Sequence, residues 1–171
     1  MPKENRRGER MVIIERYVAK KHREPIRQLL EKIGWAAQYV DAGVLTLDTL
    51  DAQPHNARIS IAEQEGQLAG WIAIEFRQWN RLAQIQGLAV DPSLQRQGIA
   101  TQLIRQAEQF AQERGARGVY VDTPVSNQRG RKFYEAARYT QDYVMTGYYE
   151  EGLDGVTYMK FFQNTTKNQS P

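Results

Sequence analysis

The sequence predicts an α/β (α+β) domain with a mixed, mostly antiparallel central sheet flanked by helices. Three observations predict it. Short apolar or alternating runs recur as strand candidates along the whole chain. Between them lie four stretches whose apolar residues fall at helical spacing. One of those stretches, starting at Gly98, connects two apolar runs, which is the pattern of a right-handed crossover between parallel strands.

The elements follow in order. Residues 11–18 carry Val12, Ile13 and Ile14 and read as a first strand. Residues 24–33 place Pro25 at a helix start and Ile26, Leu29, Leu30 and Ile33 on one face, with Gly34 as the stop. A second helix covers 36–50. Residues 58–63 alternate, Glu65-Gly66 marks a turn, and 68–77 and 81–90 are two further strands joined around Gln78-Trp79-Asn80. After the turn Asp91-Pro92 comes a helix over 98–114, with Ile99, Leu103, Ala107, Phe110 and Ala111 in one stripe and Gly115 as its end. Residues 119–123 form a strand that should pair in parallel with residues 88–90. Ser126 or Asn127 can cap a helix running to Ala137. A final hairpin joins 140–149 to 156–162 through a loop at 150–155.

Composition bounds the function. The chain has 171 residues, 41 % of them hydrophobic, which fits a single domain over 11–162 between polar tails at 1–10 and 163–171. No apolar run is long enough to span a bilayer, and no signal peptide is evident. With no cysteine, the chain has no disulfide, thiolate metal site or cysteine nucleophile. These features point to the cytoplasm. His22 and His55 read as surface residues, too few for a histidine metal site. Net charge is +3, from 23 cations and 20 anions, and the basic runs Arg6-Arg7 and Lys20-Lys21-His22-Arg23 read as solvated faces. Neither a nucleic-acid partner nor a membrane is expected. A homodimer is left open.

Chemistry concentrates after the strand at 81–90. The loop Ser93-Leu-Gln-Arg-Gln-Gly-Ile-Ala-Thr101 opens into a helix, whose first amides have no internal partner and attract anions. Gly98 and Ala100 keep side chains small there, and Thr101 adds a hydroxyl. Neither G-x-G-x-x-G nor a P-loop is present, and close packing of helix on strand explains the same residues. One strand later, Asn127, Gly130, Arg131 and Tyr134 share a helix face, with Phe133 and Ala137 turned to the core. Asn127 alone reads as a cap and Tyr134 alone as a core tyrosine.

Together, Gln95-Arg96-Gln97-Gly98-Ile99-Ala100 and the segment from Asn127 to Tyr139, NQRGRKFYEAARY, resemble the two signature motifs of the GNAT superfamily of N-acetyltransferases. The resemblance covers residues 11–162. It implies the GNAT-like acyl-CoA N-acyltransferase fold, with acetyl-CoA as cofactor and an amine as second partner. By that resemblance Leu88, Ala89 and Val90 bind the pantetheine arm through backbone groups. Gln95, Arg96, Gln97, Gly98, Ile99, Ala100 and Thr101 take the pyrophosphate. Asn127 and Gly130 lie beside the cofactor, and Tyr134 protonates the leaving thiolate, a role that suits a phenol neutral at pH 7.

Two departures stand out. Arg138 precedes Tyr139 where the family often has glycine. Many relatives carry a basic glutamate on the strand before the pyrophosphate loop, and the matching stretch here is Gln84-Ile85-Gln86-Gly87. Glu75 on the preceding strand is the substitute candidate, or simply an exposed strand residue. The family's acceptor site falls near the last hairpin, where Tyr148, Tyr149 and Glu150 suit a cationic amine and equally suit an ordinary polar hairpin. Trp35, Trp71 and Trp79 either line that site or pack. The expected reaction is direct acetyl transfer in a ternary complex to a small cationic amine. The alternatives are acetylation of protein or peptide N-termini or lysines and, in another class, a non-catalytic acyl-CoA-binding regulatory module.

Overall fold

The computed structural model describes residues 10–163. The expected tails lie outside the described residues apart from Arg10 and Gln163. In chain order the elements are β1 (Val12–Arg16), α1 (Ala19–Ile33), α2 (Ala37–Asp51), β2 (Ala57–Gln64), β3 (Gln67–Arg77), β4 (Leu82–Val90), a 3-10 turn at Pro92–Leu94, α3 (Ile99–Glu113), β5 (Gly118–Pro124), α4 (Gln128–Ala136), β6 (Thr140–Glu150) and β7 (Leu153–Phe161). The strands form one sheet in the order β1-β2-β3-β4-β5-β7-β6. Its neighbours are antiparallel except for the parallel pair β4–β5. This is the mixed, mostly antiparallel sheet that the sequence predicts.

Each face of the sheet has its own apolar cluster. On one, the α3 stripe of Ile99, Leu103, Ala107, Phe110 and Ala111 is buried against Ile72, Ile74, Ile85, Val119 and Val121, with Tyr134, Tyr139 and Tyr158 completing it. On the other, α1 and α2 bury Ile26, Leu29, Leu30, Val40 and Leu47 against Ile59, Ile61, Trp71, Ala73 and Ala89. Burying such side chains is worth about 1.5–3 kcal/mol each. The alternation along β2 to β5 sorts their residues between the two layers.

Two local features shape the centre. Opposite Ala73 and Ile74, β4 presents Gly87 and Ile85, so Gln86 is an extra residue, a bulge. Pairing of β4 with β5 stops at Ile85 and Val121. Beyond it Leu88, Ala89 and Val90 are bonded to β3 alone. The parallel pairing predicted for residues 88–90 therefore lies one turn of chain earlier, at Leu82 to Ile85, because the bulge swings β4 away from β5. Gly87 is required by close approach: a Cβ there would stand 2.4 Å from the Trp71 ring.

Other expectations need correcting. Helix α1 starts at Ala19, and Pro25 lies inside it. Its start is set by Val18, whose carbonyl accepts from Lys21 and His22 amides at 2.9 Å and whose N–H donates to His22 Nδ1 at 2.8 Å. His22 is 2 % exposed and not a surface residue. Its Nε2 donates to Glu15 at 2.9 Å, which places the ring proton on Nε2. Glu15, His22 and Glu63 bring their ligand atoms within 4.8 Å of one another. The Lys21 ammonium already bridges the two carboxylates, at 2.5 Å and 2.8 Å, and no ring lone pair faces them. Strand β7 begins at Leu153, so residues 150–155 are not a loop. The hairpin turns at Glu151-Gly152, and the excess length is a bulge in β6, where the Gly147 amide donates to Asp154 Oδ1 at 2.8 Å. Arg138 does take the left-handed conformation that glycine favours, with φ 69°. That costs about 1 kcal/mol, and the turn still closes through the Tyr139 amide on Tyr134 O at 2.9 Å.

Candidate active site

Where β4 and β5 part, a cleft of about 970 Å³ opens between the sheet, α2, α3 and α4. At one end is the start of α3. Gly98 has φ 77° with open space around its missing Cβ, so glycine is there for the backbone turn. The first helical bond of α3 runs from Gln102 N–H to Gly98 O at 3.0 Å. The amides of Ile99, Ala100 and Thr101 thus have no helical acceptor, and the positive end of the helix faces the cleft. Arg96 and Arg129 add cationic side chains to the same wall.

Along the middle, Leu88, Ala89 and Val90 lend the cleft one backbone edge that has no strand partner. Facing it is α4. Asn127 caps that helix, its Oδ1 accepting from Gly130 N–H at 3.0 Å while its Nδ2 donates to Thr123 Oγ1 at 2.9 Å. A Cβ on residue 130 would sit 2.3 Å from the Asn127 side chain, so the cap and the glycine require each other. Tyr134 stacks within 6.0 Å of Phe133, Tyr139 and Tyr158. The Tyr139 hydroxyl donates to Glu108 at 2.9 Å and that of Tyr158 to Glu135 at 3.0 Å. The Tyr134 hydroxyl makes no such bond among the described residues, and its side chain lines the cleft. Burial pushes this phenol above its ordinary pKa.

The far end is aromatic with one acid. Tyr39 and Tyr149 line it, edge to face at 6.4 Å, and Trp35 lines the same cleft. Asp122 is the sole carboxylate among the lining residues. It is half-buried, accepts from Thr157 Oγ1 at 2.6 Å and Gln84 Nε2 at 3.1 Å, and has no salt bridge among the described residues. Burial first, and then the Asp122 charge, push the Tyr148 and Tyr149 phenols up.

Of the residues singled out in the sequence, the cleft gathers Leu88, Ala89, Val90, Gln95, Arg96, Gly98, Ile99, Ala100, Thr101, Asn127, Gly130, Tyr134 and Tyr149. Gln97, Tyr148, Glu150 and Glu75 do not line it. Tyr148 packs over Gly155, its ring edge to face with that of Tyr149 at 5.0 Å. Glu75 lies one strand away, accepting from Gln86 Nε2 at 3.0 Å and Arg77 Nη2 at 3.4 Å. Trp35 lines the cleft, Trp71 packs in the core and Trp79 is 83 % exposed. Asp122, Tyr39 and Phe133 were missed. Asp122 sits next to the predicted strand residue Val121, and its facing was the missing signal.

This geometry agrees with the sequence comparisons. The model of the acetyltransferase (GNAT) family matches residues 25–138. The chain belongs to that family, whose acyl donor is acetyl-CoA. The streptothricin acetyltransferase of Streptomyces lavendulae is 31 % identical over 88 residues, 51 % of this chain and 47 % of the relative, so the match spans about half the relative's length. Among solved structures, a protein of Desulfovibrio desulfuricans assigned to the GNAT acetyltransferases superposes with TM-score 0.79 at 19 % identity, covering 88 % of this chain and 99 % of that one. A Bacillus anthracis protein assigned as a streptothricin acetyltransferase, solved with acetyl coenzyme A, gives TM-score 0.60 at 26 % identity over 63 % of this chain and 64 % of that one. No described helix is long and apolar enough to cross a membrane.

Proposed function

We propose that the chain transfers an acetyl group from acetyl-CoA directly to the amine of a small cationic acceptor. The observation that carries this reading is the polarity of one continuous cleft. A helix start with free amides forms one end, and a lone carboxylate among aromatic rings forms the other.

The residues present fit the donor. Free amides at Ile99 to Thr101, with Gly98 turned to let a group approach, suit a diphosphate. The unpaired edge of Leu88 to Val90 suits an amide-bearing arm that adds like a strand. Gln95, Arg96, Arg129 and Gly130 border that path. Acetyl-CoA supplies the activated thioester. Tyr134, kept protonated by burial, is the group that donates a proton to the departing sulfur. Asn127 acts by fixing the start of α4. With no cysteine in the chain, transfer goes straight to the acceptor.

The acceptor end favours a cation, through the Asp122 charge and the rings of Tyr39 and Tyr149. Two relatives that bear the name streptothricin acetyltransferase support a small-molecule acceptor over a protein terminus. The test compares kcat/KM for streptothricin and small polyamines with that for short peptides bearing free N-termini. Preference for the small cations supports the reading. Preference for the peptides replaces it with peptide acetylation, and acetyl-CoA binding without any turnover replaces it with a regulatory module.

A further inference from the structure

The cleft poses a problem that the acetyl donor does not solve. A cationic amine cannot attack until it loses a proton, and the strand position where many relatives carry glutamate holds Gln84 and Gln86. Neither amide takes a proton. Glu75 lies outside the cleft and is occupied by Gln86 and Arg77.

We infer that Asp122, on β5, is the residue that anchors the acceptor ammonium and takes its proton, held in place by Thr157 and Gln84. This rests on the acetyltransferase reading. Among the described residues, Asp122 is the one carboxylate lining the cleft. Both its hydrogen bonds among the described residues come from neutral donors, Thr157 Oγ1 at 2.6 Å and Gln84 Nε2 at 3.1 Å. A half-buried carboxylate with no cation beside it is an uncompensated charge, and two accepted bonds leave further lone pairs free.

Gln84 is itself locked. Its Oε1 accepts from Tyr120 OH at 3.0 Å, Arg77 Nη2 at 3.1 Å and Gln86 Nε2 at 3.2 Å. Three donors on that atom fix which end of the amide is oxygen, so the NH₂ end must face Asp122. The glutamine at the usual base position thus positions a base on the next strand. The titratable and charged groups around Asp122 are Arg77 and Glu75 on β3, Tyr120 on β5, and Tyr143, Tyr148 and Tyr149 on β6, and of the two charged ones Arg77 is turned to Glu75, Gln84 and Tyr120.

The step balances without a further reactant. The ammonium gives one proton to Asp122, and the freed nitrogen lone pair forms a C–N bond to the thioester carbonyl carbon. The C–S bond breaks, and the sulfur takes a proton from Tyr134. The acylated nitrogen gives its surplus proton to solvent, and return of the Asp122 proton through solvent to the phenolate restores both groups.

The test is Asp122→Asn, assayed by CoA thiol release with a small polyamine from pH 6 to pH 10, with acetyl-CoA affinity measured in parallel. The expected loss in kcat/KM at pH 7 is on the order of 10²-fold or more, as for a lost general base. Acetyl-CoA affinity should be unchanged. The deficit should shrink as pH rises toward the amine's own pKa, because the nucleophile then arrives neutral. Thr157→Val, a milder change, should lower kcat/KM by a smaller factor with acetyl-CoA affinity unchanged, since it removes a hydrogen bond that holds the carboxylate toward the cleft. Equal activity of wild type and D122N, or a D122N deficit that does not vary with pH together with full activity in T157V, overturns the assignment while leaving acetyl transfer intact. Absence of wild-type turnover with every amine overturns both.

Discussion

Gln84 Nε2 donates to Asp122 Oδ2 at 3.1 Å across the last paired rung of β4 and β5, next to the bulge at Gln86 that parts the two strands. One local irregularity therefore does two things. It frees the edge of Leu88 to Val90, and it leaves Asp122 facing the resulting cleft.

The contrast between two acids follows directly. Glu75→Gln should keep kcat/KM within about tenfold of wild type, short of the roughly 10²-fold that removal of a general base costs. Steady-state kinetics with one polyamine at pH 7 decide it. A loss as deep as that in D122N would return the proton-accepting role to Glu75.

Tyr134→Phe should lower kcat by about 10²-fold or more, the scale of a general acid, with acetyl-CoA affinity unchanged. The hydroxyl has no hydrogen-bond partner among the described residues, so its removal should barely alter the melting temperature. Full activity would remove Tyr134 from the chemistry.

Gly98→Ala tests the helix start. Its missing Cβ meets nothing within 4 Å, so the penalty is conformational, about 1 kcal/mol for an L residue held at positive φ. Urea denaturation should show that loss, and calorimetric titration should show weaker acetyl-CoA binding. Asn127→Ala should likewise cost about 1 kcal/mol of stability through the lost cap, with a smaller effect on kcat than Tyr134→Phe.

Tyr17 gives a pH prediction. Burial first, then Asp48 and Asp51, push its phenol from 10.0 up to about 12. Between those values the unfolded phenol has lost its proton while the folded one keeps it. The unfolded state then binds fewer protons, and stability falls as pH rises. The Tyr17 hydroxyl has no partner among the described residues, so Tyr17→Phe should be near neutral at pH 7 and should reduce the loss of stability from pH 10 to 12. An identical alkaline decline in both proteins, followed by denaturation, would contradict the burial account.

Periodicity made the elements legible. The α3 stripe was readable because an amphipathic helix repeats its apolar face, and Gly34, Gly98 and Gly115 marked real ends of helices through positive φ. The helix-start end of the cleft was legible because it is built from one contiguous loop and one helix face. The acidic, aromatic end was not, because Tyr39, Asp122 and Tyr149 come from α2, β5 and β6, which only the tertiary fold brings together. His22 was misread for the same reason: its partners Glu15 and Glu63 lie on β1 and β2. The Gln86 bulge had no sequence signal beyond Gly87, and it alone moved the parallel pairing from residues 88–90 to Leu82–Ile85.

The central claim is acetyl transfer to a small cationic amine. The most direct measurement mixes the protein with acetyl-CoA and a panel of polyamines, amino acids, aminoglycosides, streptothricin and short peptides, and reads free CoA thiol; the chain's lack of cysteine leaves no background thiol. Thiol release that depends on a small cationic amine, with the acetylated amine recovered, is the predicted result. Tight acetyl-CoA binding with no amine-dependent release across the panel would contradict it.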